Sequence, residues 1–343
     1  MKLIIPTILA AAASLVVGCK PSGTGDSGSA RQKIAYVTNG VDPFWDLCAG
    51  GVRQAEKEFG IVCEVHMPNK GLVDQKRLLE TLVAKGIGGI AVSPIDAEGQ
   101  TADLNEIAKQ TNLITQDADA PKSARLCYIG AHNYKAGRAV GKLAKEALPE
   151  GGEVMIFVGR LEQLNAQQRR QGAIDELLDR PDPGDAELKF DPVSGVIKGA
   201  KFTVLDTRTD DFDKARAKAN AEDAMTKHEK LAGMIALFAY NPAACLDAVK
   251  EAGKLGKIKI VGFDEQDAAL QGIKDGSMHG TISQQPWRYG YESVRMLKQL
   301  LAGDSSAVPA SKYLEIPFLV VTKANIDEFW AEKKKMESLG KQP

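Results

Sequence analysis

From Lys33 onward, short runs of β-branched and other apolar residues alternate with stretches in which apolar positions recur every three to four residues. These are the signatures of strands and amphipathic helices. Runs at Ile34 (IAYVTN), Val62 (VCEVHM), Gly89 (GIAVSP), Leu113 (LITQD) and Leu126 (LCYIG) predict the strands of a first half. A second series predicts strands at Glu153 (EVMIFVG), Phe202 (FTVLDT), Met234 (MIALFAY), Ile258 (IKIVGFD), Gly280 (GTISQ) and Phe318 (FLVVTK). Between them FWDLCAGGVRQAEKEFG, VDQKRLLETLVAKG and DKARAKANAEDAMTKHEK read as helices. The strand cores are continuous apolar runs, which fits parallel sheets covered by helices on both faces, an α/β fold. The stretch 179–201, rich in Pro, Gly and charge, breaks the rhythm and reads as a surface excursion.

The pattern before Lys33 is different. Lys2 is followed by an apolar stretch from Leu3 to Val17, then Gly18 and Cys19. This is the layout of an export signal, and the run is too short for a spanning helix. Val16, Val17, Gly18 and Cys19 resemble the bacterial lipobox, in which the cysteine is lipidated and becomes the first mature residue. Residues 1–18 are thus expected to be a lipoprotein signal peptide. The Gly- and Ser-rich residues 19–31 are expected to be a flexible tether. The expected location is exported, periplasmic or at the cell surface, with the protein held to a membrane by lipid.

A length of 343 residues suggests about two domains. With 44% apolar and 26% charged residues the chain reads as globular rather than multi-spanning. Lys and Arg total 44 against 45 Asp and Glu, so no overall positive field draws it to nucleic acid. Cys48, Cys63, Cys127 and Cys245 contain no CxxC pair and sit in apolar or helical segments. Export permits disulfides, burial favours free thiols, and the spacing assigns no bridge.

Catalytic motifs fail on context. Gly23, Gly25 and Gly28 satisfy GxGxxG but lie in the tether, with no strand before and no helix after. No GxxxxGK[ST] loop or GxSxG elbow occurs. His228 and Glu229 begin an HExxH pattern that Ala232 ends, and His66, His132 and His279 are scattered singly. Neither a metal nor a cofactor is expected, and no catalytic residue stands out.

Strand ends carry the chemistry, where parallel sheets bind ligands. The first strand leads into Asp42, Phe44 and Trp45, two large aromatics that cannot easily both point inward from adjacent helix positions. Later strand ends offer Asp117 and Asp119 in QDADAP, Asn241 in FAYNP, Asp264 in GFDEQ, and Gln284 with Trp287 beyond it. Helix capping explains such Asp and Asn residues singly. As a set, carboxylates that accept from hydroxyls, amides that donate and accept, and flat rings against C–H faces suit a polyol or neutral sugar ring.

In order and approximate spacing, KIAYVTNGVDPFW, LITQDADAP, LNAQQRRQG, FAYNP, IVGFDEQ and GTISQQPWRYG resemble the ribose-binding-protein type of periplasmic solute receptor, from about Lys33 to Asp327. The resemblance implies a type I periplasmic binding protein fold: two doubly wound parallel-sheet lobes joined by a three-crossover hinge, with crossovers near His132, Gln284 and Pro317. The expected N-terminal lobe is 32–131 plus 285–316, the C-terminal lobe 132–284 plus 317–330, and the tail 331–343. By the same likeness Asp42, Phe44, Trp45 and Asp117 fall on first-lobe ligand contacts, and Phe212, Asn241, Asp264 and Gln284 on the others. Ala118 and Gln167 stand where the ribose pattern has arginines. Asn165 and Arg169 offer replacement donors, and Asp119 an added acceptor. Sugar binding is therefore expected more firmly than ribose binding.

The implied protein is a monomer without catalytic activity that captures a monosaccharide or related polyol and presents it to the transmembrane subunits of an ABC permease. Similar lobes occur in LacI-type repressors, but those carry an N-terminal helix-turn-helix. Two rivals are a receptor for a sugar or autoinducer-like ligand in signalling or chemotaxis, and an exported hydrolase using Asp117 with Asp264.

Overall fold

The computed structural model describes residues 33–184 and 188–340. The expected signal segment, Cys19 and the tether lie outside the described residues. Two separate sheets organise the chain. The first joins β1 (Lys33–Val37), β2 (Val62–His66), β3 (Gly89–Val92), β4 (Asn112–Gln116), β5 (Tyr128–Gly130) and β12 (Tyr313–Glu315) in the order β12-β5-β4-β3-β1-β2, every pair parallel. The second runs β13-β11-β10-β9-β6-β8-β7. It is built from β6 (Gly152–Val158), β7 (Ile197–Lys198), β8 (Phe202–Thr209), β9 (Leu231–Ala236), β10 (Lys259–Phe263), β11 (Gly280–Ser283) and β13 (Leu319–Thr322). Its interior is parallel, and only the edge strands β7 and β13 run antiparallel to their neighbours.

Ten helices are described: α1 (Pro43–Phe59), α2 (Leu72–Ala84), α3 (Thr101–Ala108), α4 (Asn133–Ala147), α5 (Leu164–Leu177), α6 (Lys214–Lys227), α7 (Asn241–Glu251), α8 (Asp267–Asp275), α9 (Pro286–Leu301) and α10 (Ile326–Gly340). Each sheet is covered on both faces, with one apolar cluster per face: around Tyr36 and Tyr289 or Leu79 and Leu113 in the first lobe, around Ile156 and Phe263 or Phe157 and Ile260 in the second. Among the described residues no helix is long and apolar enough to cross a membrane. Cys48, Cys63, Cys127 and Cys245 are buried free thiols.

The chain passes between the sheets three times. It leaves the first after β5, where Ala131 and His132 lead into α4, which packs on α5 of the second lobe. It returns through Gln284 and Gln285 into α9, which packs on α1. It crosses again between β12 and β13 at residues 316–318. Each lobe is sealed by one close helix pair: a Cβ on Gly51 or Gly290 would collide with the opposing backbone of α9 or α1, and one on Gly137 or Gly172 with that of α5 or α4. Glycine is required there because the backbones touch.

Three local features go beyond what the sequence pattern announces. β7 and β12, of two and three residues, add edge strands that no apolar run announces. The stretch 179–201 is fastened to the second lobe, because buried Arg170 donates to Thr207 (2.7 Å) and to the carbonyls of Asp191 (3.0 Å) and Pro192 (2.5 Å). Residues from Ala331 onward, expected as a tail, continue α10 to Gly340.

Candidate functional site

A cleft of about 390 Å³ lies between the lobes at the carboxyl ends of both sheets, within the usual size range of small-molecule sites. Its first-lobe wall begins with α1. The Asp42 carboxylate accepts from the Phe44 backbone N–H (3.1 Å), and Pro43 opens the helix, so capping and a cleft position coincide. Phe44 and Trp45 meet edge to face with centroids 4.9 Å apart and are only 8% and 4% exposed. Both are therefore core residues of the first lobe as well as cleft lining, which corrects the expectation that adjacent helix positions cannot easily both point inward. The helix N-terminus stands at the sheet crest, where lobe core and cleft wall are the same surface.

Asp117 follows β4 directly with φ 59°. Its Oδ2 accepts from the Ser93 hydroxyl (3.0 Å), which in turn accepts from Asn39 Nδ2 (3.1 Å). Burial pushes the Asp117 carboxyl above its ordinary range, opposed by the Arg169 charge and the Ser93 hydrogen bond. Asp264 follows β10 with φ 65° and accepts from Gln284 Nε2 (2.7 Å). Burial raises its carboxyl too, with Arg169 and Gln284 opposing and the charges of Asp117 and Asp42 reinforcing the shift. Phe212, also on the cleft, has φ 66°. Left-handed backbone at non-glycine residues costs about 1–3 kcal/mol each, and its recurrence around this cleft, on both lobes, is typical of ligand sites.

Arg169 links the lobes' crossing points from beneath. Only 2% exposed, it donates to Asn133 Oδ1 (2.9 Å), to the Leu237 carbonyl (3.3 Å) and to Gln284 Oε1. Its guanidinium also lies over the Phe263 ring at 4.6 Å. Gln284 is thereby oriented, its oxygen toward Arg169 and Tyr289 and its amide toward Asp264. On the second-lobe wall Phe212 packs with Phe238 (5.6 Å) and Tyr240 (6.4 Å), opposite Phe44 and Trp45. Arg160 covers the outer face of Phe212 at 5.1 Å and pairs with Asp211 at 3.6 Å. At the mouth Asp42 meets Lys214 (3.5 Å) and Gln266 (3.3 Å) of the other lobe.

Of the expected residues, Asp42, Phe44, Trp45, Asp117, Asn165, Arg169, Phe212, Asp264 and Gln284 line this one cleft. Asp119, Gln167 and Asn241 do not. Asp119 accepts from Thr115 (2.7 Å) and is clamped by Arg125 through two nitrogens (2.5 and 2.6 Å), which turns it away. Gln167 donates to the Leu161 carbonyl (2.5 Å), closing its own helix entry. Asn241 donates to Asp210 (2.7 Å), beneath the loop that carries Phe212, and so acts as a support. Trp287 lines a second hollow beside the crossover. The cleft also gathers Asn39, Asn69, Arg160, Gln163, Phe238 and Tyr240, which the sequence reading omitted. Gln163 is 2% exposed, and its Nε2 has no protein partner. Applying the strand-end rule to β2 and β6 would have reached Asn69, Arg160 and Gln163.

With this geometry in place, comparison with known proteins gives the family and the fold. Residues 34–305 match the family model described as a periplasmic binding protein domain, and the chain belongs to that family. It is 25% identical over 305 residues to the D-ribose/D-allose-binding protein of Pseudomonas aeruginosa, covering 85% of this chain and 89% of that one. It is likewise 25% identical over 283 residues to the ribose import binding protein of Haemophilus influenzae, covering 81% and 88%. Among solved structures it resembles an ABC transporter solute-binding protein from Burkholderia graminis in complex with D-arabinose, with a TM-score of 0.76, 24% identity and coverage of 87% and 97%. A glucose-galactose binding protein from Geobacillus stearothermophilus gives 0.75, 22%, 85% and 98%.

Proposed function

We propose that this protein is a receptor that captures one neutral monosaccharide or closely related polyol between its lobes and presents it to an ABC permease. The observation that carries this reading is the convergence of Asp117 from one sheet and Asp264 from the other on a cleft walled by aromatics of both lobes. Carboxylates at two crests accept hydrogen bonds from hydroxyls on opposite edges of a ring, while Trp45 and Phe212 supply apolar surface for its C–H faces. Neutrality follows from the cations: Arg160 faces Asp211, Lys214 faces Asp42, and the Arg169 charge is set against the carboxyls of Asp117 and Asp264. Each charge-assisted contact contributes about 1.5–3 kcal/mol before ordering costs, so a few reach the roughly −8 kcal/mol of micromolar binding. Residues of both lobes touch the ligand together only when the lobes are shut, so binding favours closure.

The relatives' names, ribose, allose and ribose import, support sugar as the ligand class. The lipobox-like Val16 to Cys19 supports attachment of the mature protein to a membrane through lipid on Cys19. Titration calorimetry of ligand-stripped protein tests the reading. Neutral pentoses and hexoses should include a saturable ligand, whereas sugar phosphates, sugar acids and amino acids should not bind. Preferential binding of a charged ligand would overturn it. Loss of membrane association on Cys19→Ala tests the anchor.

A further inference from the structure

Helix α10 belongs to both lobes. Its first turns are rooted in the second lobe, where Ile326 is buried in the core and Phe329 and Trp330 pack against it. Trp330 Nε1 donates to Asp267 (3.1 Å), and Lys333 Nζ donates to the same carboxylate (2.7 Å) and to Glu337 (2.7 Å). Lys274 adds an ion pair to Asp327 (2.5 Å). The Lys333 side chain is 6% exposed, so this root is well ordered rather than a loose end.

Beyond Lys333 the helix runs over α1 of the first lobe. Lys333 and Met336 share a cavity of about 440 Å³ with Leu47, and Leu339 closes a hollow with Arg53, Gln54 and Glu58. Met336 and Leu339 are three apart and therefore share a helix face. Helix α1 is the element whose first turn carries Asp42, Phe44 and Trp45 into the cleft. A helix anchored in one lobe thus grips the element that presents the other lobe's ligand contacts. It also lies beyond residues 34–305, the stretch matched by the family model.

We propose that α10 is an affinity-setting strap. By holding α1 against the second lobe it favours the closed arrangement, in which Asp42 meets Lys214 and Gln266. The apparent dissociation constant is the intrinsic one divided by the fraction of molecules able to close, so the strap tightens binding without touching the ligand. Met336 and Leu339 act as positioning residues, and their effect falls on ligand release.

The inference rests on the receptor reading, so its test includes a readout that needs no ligand. The full-length double variant Met336→Ser/Leu339→Ser is compared with a conservative control, Met336→Leu/Leu339→Met. In small-angle scattering the ligand-free serine variant should have a larger radius of gyration than the parent, and the two should match when sugar is bound. Its affinity should fall about three- to thirtyfold, chiefly through faster release, and the control should restore both properties. Because these side chains are half-buried, the fold is expected to survive, and unchanged circular dichroism establishes that. A folded serine variant with unchanged ligand-free dimensions overturns the strap even if no sugar has been found. Greater opening with unaltered affinity overturns its affinity-setting role.

Discussion

Asp117 and Asp264 occupy matching places in the two lobes. Each directly follows its strand, each has left-handed backbone (φ 59° and 65°), and each backbone N–H donates to the next strand, to Ile129 (3.0 Å) and Ile282 (2.8 Å) respectively. The backbone thereby fixes where both residues leave the sheet crests, and the side chains of Ser93 and Gln284 orient the carboxylates. Asp264→Asn keeps the shape and the Gln284 neighbourhood but removes a charged acceptor. Sugar affinity is expected to fall about 10- to 150-fold, with the fold retained, as read by calorimetry.

Burial, with like charges nearby, also makes Asp264 a pH-dependent liability. Its carboxyl is raised in the folded chain, as is that of Glu265, where burial again leads and the Asp264 charge adds. From the ordinary carboxylate range up to the raised value, the folded chain holds a proton the unfolded chain has lost, so stability falls as pH rises. The Asp264→Asn protein cannot lose that proton. In ligand-free denaturant melts its stability advantage over the parent should grow with pH, by at most about 1.4 kcal/mol per pH unit. An advantage that shrinks with pH would contradict the assignment.

Trp45 serves core and cleft together, so truncation confounds the two. Trp45→Ala is expected to cost about 3–5 kcal/mol of stability, because the side chain is 4% exposed and packed edge to face on Phe44. Trp45→Phe retains most of the volume. It should weaken sugar binding about two- to tenfold, the scale of an aromatic contact, with a far smaller loss of stability. Paired melting and binding curves separate the effects.

Asp119 provides the contrasting case. It lies two residues from Asp117, yet its oxygens are committed to Arg125 and Thr115. Asp119→Ala should cost about 1.5–3 kcal/mol of stability while leaving sugar affinity within about twofold of the parent. A loss of affinity as large as that of Asp264→Asn would return Asp119 to the ligand contacts.

Asp119 also marks where the sequence stops being legible. Continuous apolar runs such as Ile34–Val37 and Ile260–Phe263 announce buried parallel strands, and the strand-end rule then finds Asp42, Asp117, Asp264 and Gln284 without coordinates. The rule does not say which way a side chain points after the turn. Left-handed Asp117 ends the two-residue alternation, so Asp119 swings to Arg125, and Asn241 at the start of α7 goes under the Phe212 loop to Asp210. Strands β7 and β12 escape notice because a two- or three-residue edge strand buries too little apolar surface to leave a pattern. Gln163 leaves no signal of its own because glutamine at the entry of a helix is ordinarily an exposed polar residue, whereas here it is buried just before α5.

The central claim is that one sugar is held by both lobes at once. Small-angle scattering of ligand-stripped protein, with and without the sugar that binds in calorimetry, tests it most directly. The account expects the radius of gyration to fall on saturation in the parent and not in Asp264→Asn at a sugar concentration that saturates only the parent. A saturating sugar that leaves the dimensions of the parent unchanged would contradict closure around a shared ligand.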